Sequence, residues 1–537
     1  MTSVIEDMAL DVRFLRSTQV DLMLASEELF DVILLTPKIE EKDKDIPFKN
    51  ESTSEKLQAD LLWIDAAAKR LSKDGTMLIY NIPRWLPYYA THIDASMTFK
   101  YWISIKNPRT RSSNFVQTFH EGVLLYVKNP RNFTINRVRY PHIFCSQCGD
   151  YLADWGGKKH LRPKDGPVVS DVWDDRDDFI DDLHGLAPHT LERLLNLTCK
   201  PGFKVLIGMY DGEPYDGTKL LEVDNTSLSN KKDQIRDPLQ RHSIGVTSNF
   251  STSEKGDFRP DDIFIGDCVE VMSSWVHNPE ARFDLIFADP PYNLEKDYGK
   301  IDDDLKSQEY IEWCNNWLDL CAKLLKPNGT LYVLNLPKWT VHHAVFLNQR
   351  LYFQRWIVWD ALSDPRGKIM PAHYGLLVYT ADPLNFTYNL KKPIPKADQC
   401  FRAKCISKRS PNAPKEELSD IWYDVHRIKH KRDRDAHPCQ LPVKLLERII
   451  SISSSPGDLV LDPFMGTGTT AFVAHKLGRH FAGIDIDMQY REIAIRRLRE
   501  SDESLGENKY APDLPKIPSP RGRKSYSQDS FFAELNK

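Results

Sequence analysis

Residues 283–293 read Phe-Asp-Leu-Ile-Phe-Ala-Asp-Pro-Pro-Tyr-Asn, and this stretch decides the fold of the chain. The apolar run up to Ala288 predicts a buried strand, and Asp289, two prolines and Tyr292 follow it directly. Because proline fixes φ and has no backbone N–H, we expect a stiff turn whose carbonyl groups stay free to accept hydrogen bonds. Such a turn, with a flat ring beside it, suits a planar group that carries an amine.

The same pattern occurs once earlier in the chain. Residues 30–38 (Phe-Asp-Val-Ile-Leu-Leu-Thr-Pro-Lys) parallel residues 283–291 at an offset of 253, and residues 75–85 parallel residues 329–339 at an offset of 254. A repeat of this length is as large as a domain, so it indicates a duplicated domain and not a solenoid.

Both copies alternate short apolar strands with helical stretches, which predicts an α/β fold. We expect two tandem domains, each with a mixed, mostly parallel sheet and helices on both faces. Residues 1–29 are expected to be a short helical lead-in to the first copy. The predicted boundaries are 1–222 for the first domain, 223–260 for a polar linker, 261–503 for the second domain and 504–537 for a flexible tail.

A second motif lies near the end of the second copy, at residues 458–470. A predicted strand leads into Gly466 and Gly468, and a predicted helix follows at once. Ligands bind at the carboxyl ends of strands in an open α/β sheet, and glycine lets the backbone approach them closely. The next predicted strand ends at Asp485, roughly 20 residues on, where an acidic side chain typically binds ribose hydroxyl groups. The arrangement predicts a nucleoside site and disfavours a triphosphate site, because the spacing is not Gly-x-x-x-x-Gly-Lys.

Together these motifs resemble those of the S-adenosylmethionine-dependent DNA amino-methyltransferases, which methylate exocyclic amines of adenine or cytosine. Residues 289–292 match the catalytic Asp-Pro-Pro-Tyr motif, and residues 464–468 match the Phe-x-Gly-x-Gly cofactor loop. The catalytic motif comes first, an order that resembles the β group of the family, in which a target-recognition region separates the two motifs. The resemblance covers the second copy. It implies Rossmann-like methyltransferase domains, with a recognition region at about 360–436.

The resemblance also implies the site residues. Residues 262–268 resemble the lead-in to the cofactor site, and residues 437–442 resemble a His-Pro-x-Gln-Lys-Pro stretch in which Leu441 replaces the lysine. The expected catalytic residues are Asp289, Pro290, Pro291 and Tyr292. The expected cofactor-binding residues are Asp267, Asp289, Gln440, Pro442, Asp462, Phe464, Gly466, Thr467, Gly468, Thr469 and Asp485.

The implied reaction transfers a methyl group from S-adenosylmethionine to a base that has left the duplex. Asp289 and the carbonyl group of Pro290 are expected to accept hydrogen bonds from the amine, while Tyr292 stacks on the base. Asp rather than Ser at the first motif position favours adenine N6 as the target. Cytosine N4 is the alternative, and a non-catalytic DNA-binding subunit of a modification complex is a second alternative of a different class.

The first copy departs from the motifs at each chemical position. Thr36 corresponds to Asp289, Lys38 to Pro291 and Ile39 to Tyr292. Ile207 stands where the second copy has Asp462. We therefore expect a catalytically inactive copy that is kept for structure, DNA contact or domain pairing.

The expected partner is double-stranded DNA, as in restriction-modification systems, and either a homodimer or an internal pair of the two copies is expected. A net charge of −4 means that any nucleic-acid surface is a local patch. One basic run lies in the recognition region and is expected to contact phosphate groups. Its residues are Arg427, Lys429, Lys431, Arg432 and Arg434.

The bulk composition, 41% hydrophobic and 28% charged, is that of a globular protein. No apolar run approaches the roughly 18 residues of a membrane span, no signal peptide is evident, and nine scattered cysteines suit a reducing compartment, so a cytoplasmic location is expected. Cys145 and Cys148 are spaced like half of a zinc knuckle, with His142, His160 and Cys199 as candidate completions. No second cysteine pair lies nearby in the sequence, so we expect free thiols and no metal site.

Overall fold

The computed structural model describes residues 2–17, 23, 26–39, 51–111, 115–152, 163–174, 186–210, 219–220, 258–294, 305–361, 367–389, 394–395, 399–400, 402–425 and 440–503. The predicted tail, and the predicted linker up to residue 257, lie outside these residues. Among the described helices, none is long and apolar enough to cross a membrane.

The first copy is built on one sheet. Its strands are β1 (Asp11–Arg16), β2 (Phe30–Thr36), β3 (Leu71–Asn81), β4 (Thr98–Arg111), β5 (Thr118–Val127), β6 (Val172–Asp174), β7 (Lys204–Met209) and β8 (Lys219–Leu220). Its helices are α1 (Thr2–Asp7), α2 (Glu51–Arg70), α3 (Leu86–Ile93) and α4 (Pro188–Thr198).

The second copy is built on a second large sheet and also contains a small two-stranded sheet. Its strands are β9 (Asp262–Ile265), β10 (Phe283–Ala288), β11 (Leu325–Asn335), β12 (Tyr352–Asp360), β13 (His373–Thr380), β14 (Ile394–Pro395), β15 (Lys415–Glu416), β16 (Ile421–Trp422), β17 (Leu459–Asp462) and β18 (His480–Asp485). Its helices are α5 (Cys268–Trp275), α6 (Ser307–Leu324), α7 (Pro337–Leu347), α8 (Ala403–Ile406), α9 (Val443–Ser453), α10 (Thr469–Lys476) and α11 (Met488–Glu503).

The two large sheets have matching strand orders. The first runs β6-β4-β5-β3-β2-β7-β1-β8, and the second runs β16-β12-β13-β11-β10-β17-β18-β9. In the second sheet β10 pairs in parallel with β11 and β17, while β13 pairs antiparallel with β11 and β12. The predicted α/β class, with two tandem Rossmann-like domains and mixed sheets, is confirmed.

The N-terminal segment is not the short helical lead-in that the sequence predicts. Helix α1 covers Thr2–Asp7, and strand β1 follows it and pairs in parallel with β7. In that register Phe14 lies opposite Ile207, just as Gly483 lies opposite Asp462 in the second copy. Strand β1 therefore fills the position of β18, because Val12, Phe14 and Leu15 can be buried there.

The two copies contact each other through equivalent residues. The Trp102 and Trp356 rings, which are 254 positions apart, stack with centroids 4.0 Å apart and an interplanar angle of 17°. Asn348 donates a hydrogen bond to the Tyr88 hydroxyl at 3.0 Å. The reciprocal pair is His342 Nε2 with an Asp94 carboxylate oxygen at 2.9 Å. Such reciprocity is the signature of an isologous contact.

Backbone contacts repeat this reciprocity at the sheet edges. Gln117 forms an isolated parallel bridge with Ser419, and Ser170 forms one with Met370. Each copy therefore forms backbone contacts with the other near its edge strand. The buried residues of the two copies form one continuous hydrophobic core, which includes Trp102 and Trp356.

Candidate active site

Strand β10 lies in the middle of the second sheet, and the catalytic motif follows it at the carboxyl ends of the parallel strands. All six of its residues are buried, because parallel strands flank it on both sides. At its base, one Asp284 carboxylate oxygen accepts hydrogen bonds from Leu459 N at 2.9 Å and Lys326 Nζ at 2.7 Å. The strand is thus fixed at both ends, and Asp289 emerges at the carboxyl edge, where α/β proteins bind ligands.

The turn after β10 is held by its own side chains. The Tyr292 hydroxyl donates a hydrogen bond to Asp289 Oδ1 at 2.5 Å, and the Tyr292 side chain is 3% exposed. Asn293 adopts a left-handed conformation with φ of 55°, which Asn tolerates better than most residues. Its side chain bonds both the N–H and the carbonyl group of Leu305 at 2.8 Å. The Asp289 carboxylate is therefore oriented before any substrate arrives.

The expectation that the carbonyl groups of this turn stay free is wrong for two of them. The Pro291 carbonyl accepts a hydrogen bond from the Tyr310 hydroxyl at 2.6 Å, and the Tyr292 carbonyl accepts one from Trp339 Nε1 at 2.9 Å. Helices α6 and α7 supply these donors. Among the described residues, none donates to the carbonyl group of Pro290, which leaves it as the acceptor that the turn can offer.

The glycine turn follows β17 and joins it to β18. Gly466 has φ of 52°, and its N–H donates to Asp485 Oδ2 at 2.8 Å. Gly468 has φ of 78° and forms the N-terminal end of α10. A Cβ at Gly468 would lie 2.5 Å from the Cβ of Ala494 in α11, so this glycine allows the loop to pack against a helix.

A buried carboxyl group, that of Asp462, and a half-buried one, that of Asp485, lie beside this turn. Asp462 Oδ2 accepts from the Thr470 hydroxyl at 2.5 Å, and Asp462 Oδ1 accepts from Phe464 N at 2.9 Å. Burial raises the pKa of Asp462 to about 7, and the Asp485 carboxylate contributes to the increase. Burial also raises the pKa of Asp485. Both groups hold protons more firmly than exposed aspartates do, and a bound cation would favour their ionised forms.

Asp267 has a structural task besides any contact with a cofactor. Its carboxylate caps helix α5 by accepting hydrogen bonds from Val269 N at 2.8 Å and Glu270 N at 3.3 Å. An aspartate at this position satisfies N–H groups that the helix leaves without partners. Its side chain still borders the cavity described next.

A cavity of about 190 Å³ opens between the carboxyl ends of β10, β17 and β18. All four predicted catalytic residues line it. So do nine of the predicted cofactor residues: Asp267, Asp289, Gln440, Asp462, Phe464, Gly466, Thr467, Thr469 and Asp485. Pro442 and Gly468 do not line it. Pro442 precedes helix α9, and Gly468 faces α11 instead.

Several lining residues were not identified from the sequence. They include Tyr310, Trp313, Met465, Ile486, Asp487 and Tyr490. Tyr310 and Trp313 are three positions apart in α6, so they share one helix face. That periodicity is visible in the sequence, but which wall of the cavity α6 covers is not. The Trp313 ring lies 5.7 Å from the Phe464 ring and extends the aromatic wall.

The charge of the cavity indicates the kind of ligand that it suits. Among the described residues its lining includes five aspartates (267, 289, 462, 485 and 487) and no lysine, arginine or histidine. Phosphate groups would be repelled there. S-adenosylmethionine carries a sulfonium and an ammonium group, and its ribose hydroxyls can donate to carboxylates. The lining side chains therefore fit S-adenosylmethionine, and Asp485, Asp267 and Phe464 are among the residues that could hold it.

Some sequence-based assignments fall outside the described residues. These are the phosphate-contacting residues Arg427, Lys429, Lys431, Arg432 and Arg434, which remain predictions. The expectation that Cys145 and Cys148 have no second cysteine pair nearby is wrong. Cys400 and Cys405 of the second copy lie beside them, because the copies pack together.

The corresponding edge of the first copy carries different groups. The Thr36 hydroxyl lies 3.4 Å from the Gly208 carbonyl, and Lys38 Nζ lies 5.3 Å from the centre of the Tyr210 ring. Ile207, which takes the place of Asp462, is fully buried. None of these three side chains is a carboxylate, so this edge of the first copy lacks the acidic groups that line the cavity of the second.

Known proteins share the second copy. A family model described as DNA methylase (N6_N4_Mtase) matches residues 283–496. The chain is similar to the type II methyltransferase M.BamHI of Bacillus amyloliquefaciens, with 34% identity over 52% of this chain and 68% of the relative. It is similar to the type II methyltransferase M.HpaI of Haemophilus parainfluenzae, with 38% identity over 43% of this chain and 73% of the relative.

A third relative is the DNA adenine methyltransferase YhdJ of Escherichia coli (strain K12), with 33% identity over 41% of this chain and 77% of the relative. The matched parts include the Asp-Pro-Pro-Tyr turn, the glycine turn and the strands that position them. Since more than two thirds of each relative is covered, the chain belongs to the DNA methylase family and is an S-adenosylmethionine-dependent DNA methyltransferase.

Proposed function

We propose that the second copy methylates N6 of an adenine that has been turned out of double-stranded DNA at a specific site. One observation carries the proposal. The Asp-Pro-Pro-Tyr turn and the glycine turn line the same cavity, and that cavity is acidic. A cationic methyl donor and an amine acceptor would therefore meet in one enclosed space.

Asp289 and Pro290 are proposed to bind the target amine. The amine lone pair is delocalised into the base, so the planar amine is a poor nucleophile. Hydrogen bonds from the amine to these two acceptors favour its tetrahedral form, in which the lone pair points at the methyl group. When bound, the cofactor supplies an electrophilic methyl group on its sulfonium. Holding the amine and the methyl group in line then provides most of the rate enhancement. Asp289 need not be a strong base, because the amine proton can leave after the methyl group has been transferred.

Tyr292 is proposed to position both the base and Asp289. Its hydroxyl is bonded to Asp289, and its ring lies 6.0 Å from that of Tyr374 on β13. The ring forms one wall of the cavity, where a flat base can stack. Stacking offsets part of the few kcal/mol that base extrusion costs.

Adenine is favoured over cytosine by two observations. The motif begins with Asp289, and the relative from Escherichia coli is named a DNA adenine methyltransferase. Cytosine N4 is the second candidate, because the described cavity would accept either amine. Two further relatives are named type II methyltransferases, which supports a role in DNA modification at specific sequences.

DNA recognition is proposed to involve residues 360–436 and the first copy. The basic residues at 427, 429, 431, 432 and 434 would contact phosphate groups. The first copy (1–222) would act as an internal partner for the catalytic copy (261–503). The reciprocal contacts of Tyr88, Asp94, His342 and Asn348 support this pairing, because they have the pattern of a symmetric dimer.

The test is transfer of a labelled methyl group from S-adenosylmethionine to genomic DNA that lacks adenine and cytosine methylation. The product is digested to nucleosides and separated by chromatography. Label in N6-methyl-2′-deoxyadenosine supports the proposal. Label in N4-methyl-2′-deoxycytidine selects the second candidate instead. Binding of S-adenosylmethionine without transfer to any DNA would refute the catalytic proposal.

A further inference from the structure

Four cysteines from the two copies meet at one place. They are Cys145 and Cys148 of the first copy and Cys400 and Cys405 of the second, and their sulfur atoms all lie within 4.8 Å of one another. No residue of the cavity described above belongs to this group. We propose that the four thiolates bind one structural zinc ion that joins the two copies. The inference does not depend on the proposed target base.

The distances between sulfur atoms match a tetrahedral site. Cys145 Sγ lies 3.9 Å from Cys405 Sγ, and Cys148 Sγ lies 3.7 Å from Cys400 Sγ. With zinc–sulfur bonds of about 2.3 Å, the edges of a tetrahedron are about 3.8 Å long. A disulfide bond is only about 2.05 Å long, so each pair is separated by the span of a shared metal ion and not by that of a covalent bond.

The first pair lies in a tight turn that points both sulfur atoms to one side. Gly149 N donates to the Cys145 carbonyl at 2.8 Å, and Gly149 has φ of 68°, a conformation that favours glycine. Gln147 N points at Cys145 Sγ at 3.4 Å. The flanking residues Phe144 and Tyr151 form an antiparallel bridge that closes the turn. Backbone N–H groups directed at sulfur stabilise thiolates.

The second pair is held by the short helix α8 and the chain before it. Cys405 N donates to the Arg402 carbonyl at 2.8 Å, and Cys400 N donates to Cys145 Sγ at 3.2 Å. The second hydrogen bond crosses from one copy to the other. Three of the sulfur-bearing residues are buried, with Cys145 1%, Cys400 2% and Cys405 7% exposed, while Cys148 reaches the surface.

Charges around the cluster suit an anionic metal centre. Binding of Zn²⁺ to four thiols releases four protons to solvent and leaves a net charge of −2. Arg409 Nη2 lies 3.9 Å from Cys405 Sγ and donates to the Cys400 carbonyl at 2.5 Å. Arg409 Nε is buried without a hydrogen-bond partner among the described residues. A guanidinium held against the sulfur atoms offsets their charge.

Zinc is favoured because all four ligands come from the protein. A closed tetrahedral set of four thiolates binds zinc or a single iron, and closed sites of this kind are structural. Each copy contributes its pair from the same topological position, the connection between β5 and β6 in one copy and between β13 and β16 in the other. The ion would therefore fix the proposed recognition region of the second copy to the first copy.

The test is the metal content of the full chain, purified without chelators under reducing conditions. Elemental mass spectrometry should find one zinc per chain. When a mercurial reagent blocks the thiols, a chromogenic chelator should detect the zinc that is released. Cys148→Ser should lower the zinc content at least tenfold, and it removes the most exposed ligand, so disturbance of the core is small. Cys199→Ser, which alters a buried thiol outside the cluster, is the matched control and should keep its zinc.

A second readout is spectroscopic and does not depend on the metal content of the purified chain. Cobalt(II) loaded in place of zinc should give the visible absorption of a tetrahedral tetrathiolate site in wild type, and Cys148→Ser should change it. Wild-type protein that carries no metal in chelator-free buffer, or carries iron in this stoichiometry, would overturn the assignment. An intact mass four hydrogens below that of the reduced chain would do the same, because it would show two disulfides instead.

Discussion

The two copies share one sheet topology but differ at three strand ends. Comparing registers, Asp289 at the end of β10 corresponds to Thr36, and Asp462 at the end of β17 corresponds to Ile207. The third position is Asp485 on β18, which corresponds to Arg16 on β1. At these three positions the first copy has no carboxylate, although the strands that would carry it are present. The fold therefore does not depend on the residues of the site.

One aspartate has a counterpart in the other copy, and its role is structural in both. Asp31 Oδ2 accepts from Lys204 N at 3.0 Å, and Asp284 Oδ2 accepts from Leu459 N at 2.9 Å. Each carboxylate ties the base of a central strand to the next strand, at the edge opposite the cavity. Both copies have an aspartate at this position, where it satisfies a backbone N–H group of the neighbouring strand.

The first copy also fills one strand position differently. Strand β1 comes from the N-terminus and lies where β18 lies in the second copy. In the second copy, the glycine turn and α10 connect β17 to β18, and this connection lines the cavity. The same position in a sheet can be filled by a strand from the start or from the end of the domain. Only the connection from β17 to β18 forms a loop beside the cavity.

The largest effect is expected at the position that distinguishes the copies chemically. Asp289→Ala should lower the rate of methyl transfer at least about 1000-fold, because it removes an acceptor that acts on the reacting amine. Binding of S-adenosylmethionine, measured by calorimetry, should largely survive. Thr36→Ala, at the equivalent position of the first copy, should change the rate less than about twofold. Full activity of Asp289→Ala would refute the assigned role.

The contact between the copies is tested at its centre. Trp102→Ala and Trp356→Ala should each lower the free energy of unfolding by about 3 kcal/mol, because both rings are buried and stacked. The double variant should lose about 1 kcal/mol less than the sum, since either single change already removes the stacking. Urea titrations of the four proteins measure this. Strict additivity, or a large effect at only one tryptophan, would contradict an equivalent contact.

A smaller, pH-dependent effect is expected from Asp462. Its folded-state pKa of about 7 lies above the unfolded value of about 3.9, so its contribution to stability is fully present below pH 4 and is lost as the pH rises through 7. Asp462→Asn does not titrate and keeps an acceptor for Thr470. Relative to wild type without cofactor, this variant should therefore gain about 2 kcal/mol of stability between pH 5 and pH 8.

Thermal or urea unfolding at the two pH values gives this difference. Ile207→Val in the first copy is the matched control, since that site holds no titratable group, and its stability difference from wild type should not vary with pH. An Asp462→Asn variant whose stability follows the wild-type pH profile would show that Asp462 keeps an ordinary pKa.

Much of the second copy could be predicted from its sequence. The bounds of β10 agree with prediction, since its six residues are apolar except for Asp284 and Asp-Pro-Pro follows them directly. Nearly all predicted cofactor residues line one cavity. Gly468 and Pro442 are the exceptions, because Gly468 packs against Ala494 and Pro442 precedes helix α9. Their residue types suit both a structural role and contact with a ligand, and only their neighbours decide between them.

By itself, the sequence determined the duplication, the α/β class and the chemistry at the ends of β10, β17 and β18. These follow from patterns that are local in the chain, such as hydrophobic runs, prolines and glycines. The tertiary structure decided that β1 replaces β18, that Tyr310 and Trp339 occupy two turn carbonyls, and that Cys145 and Cys148 meet Cys400 and Cys405. Each of these joins residues far apart in the sequence, and the energy that selects such contacts comes from burial between elements and not from local propensity.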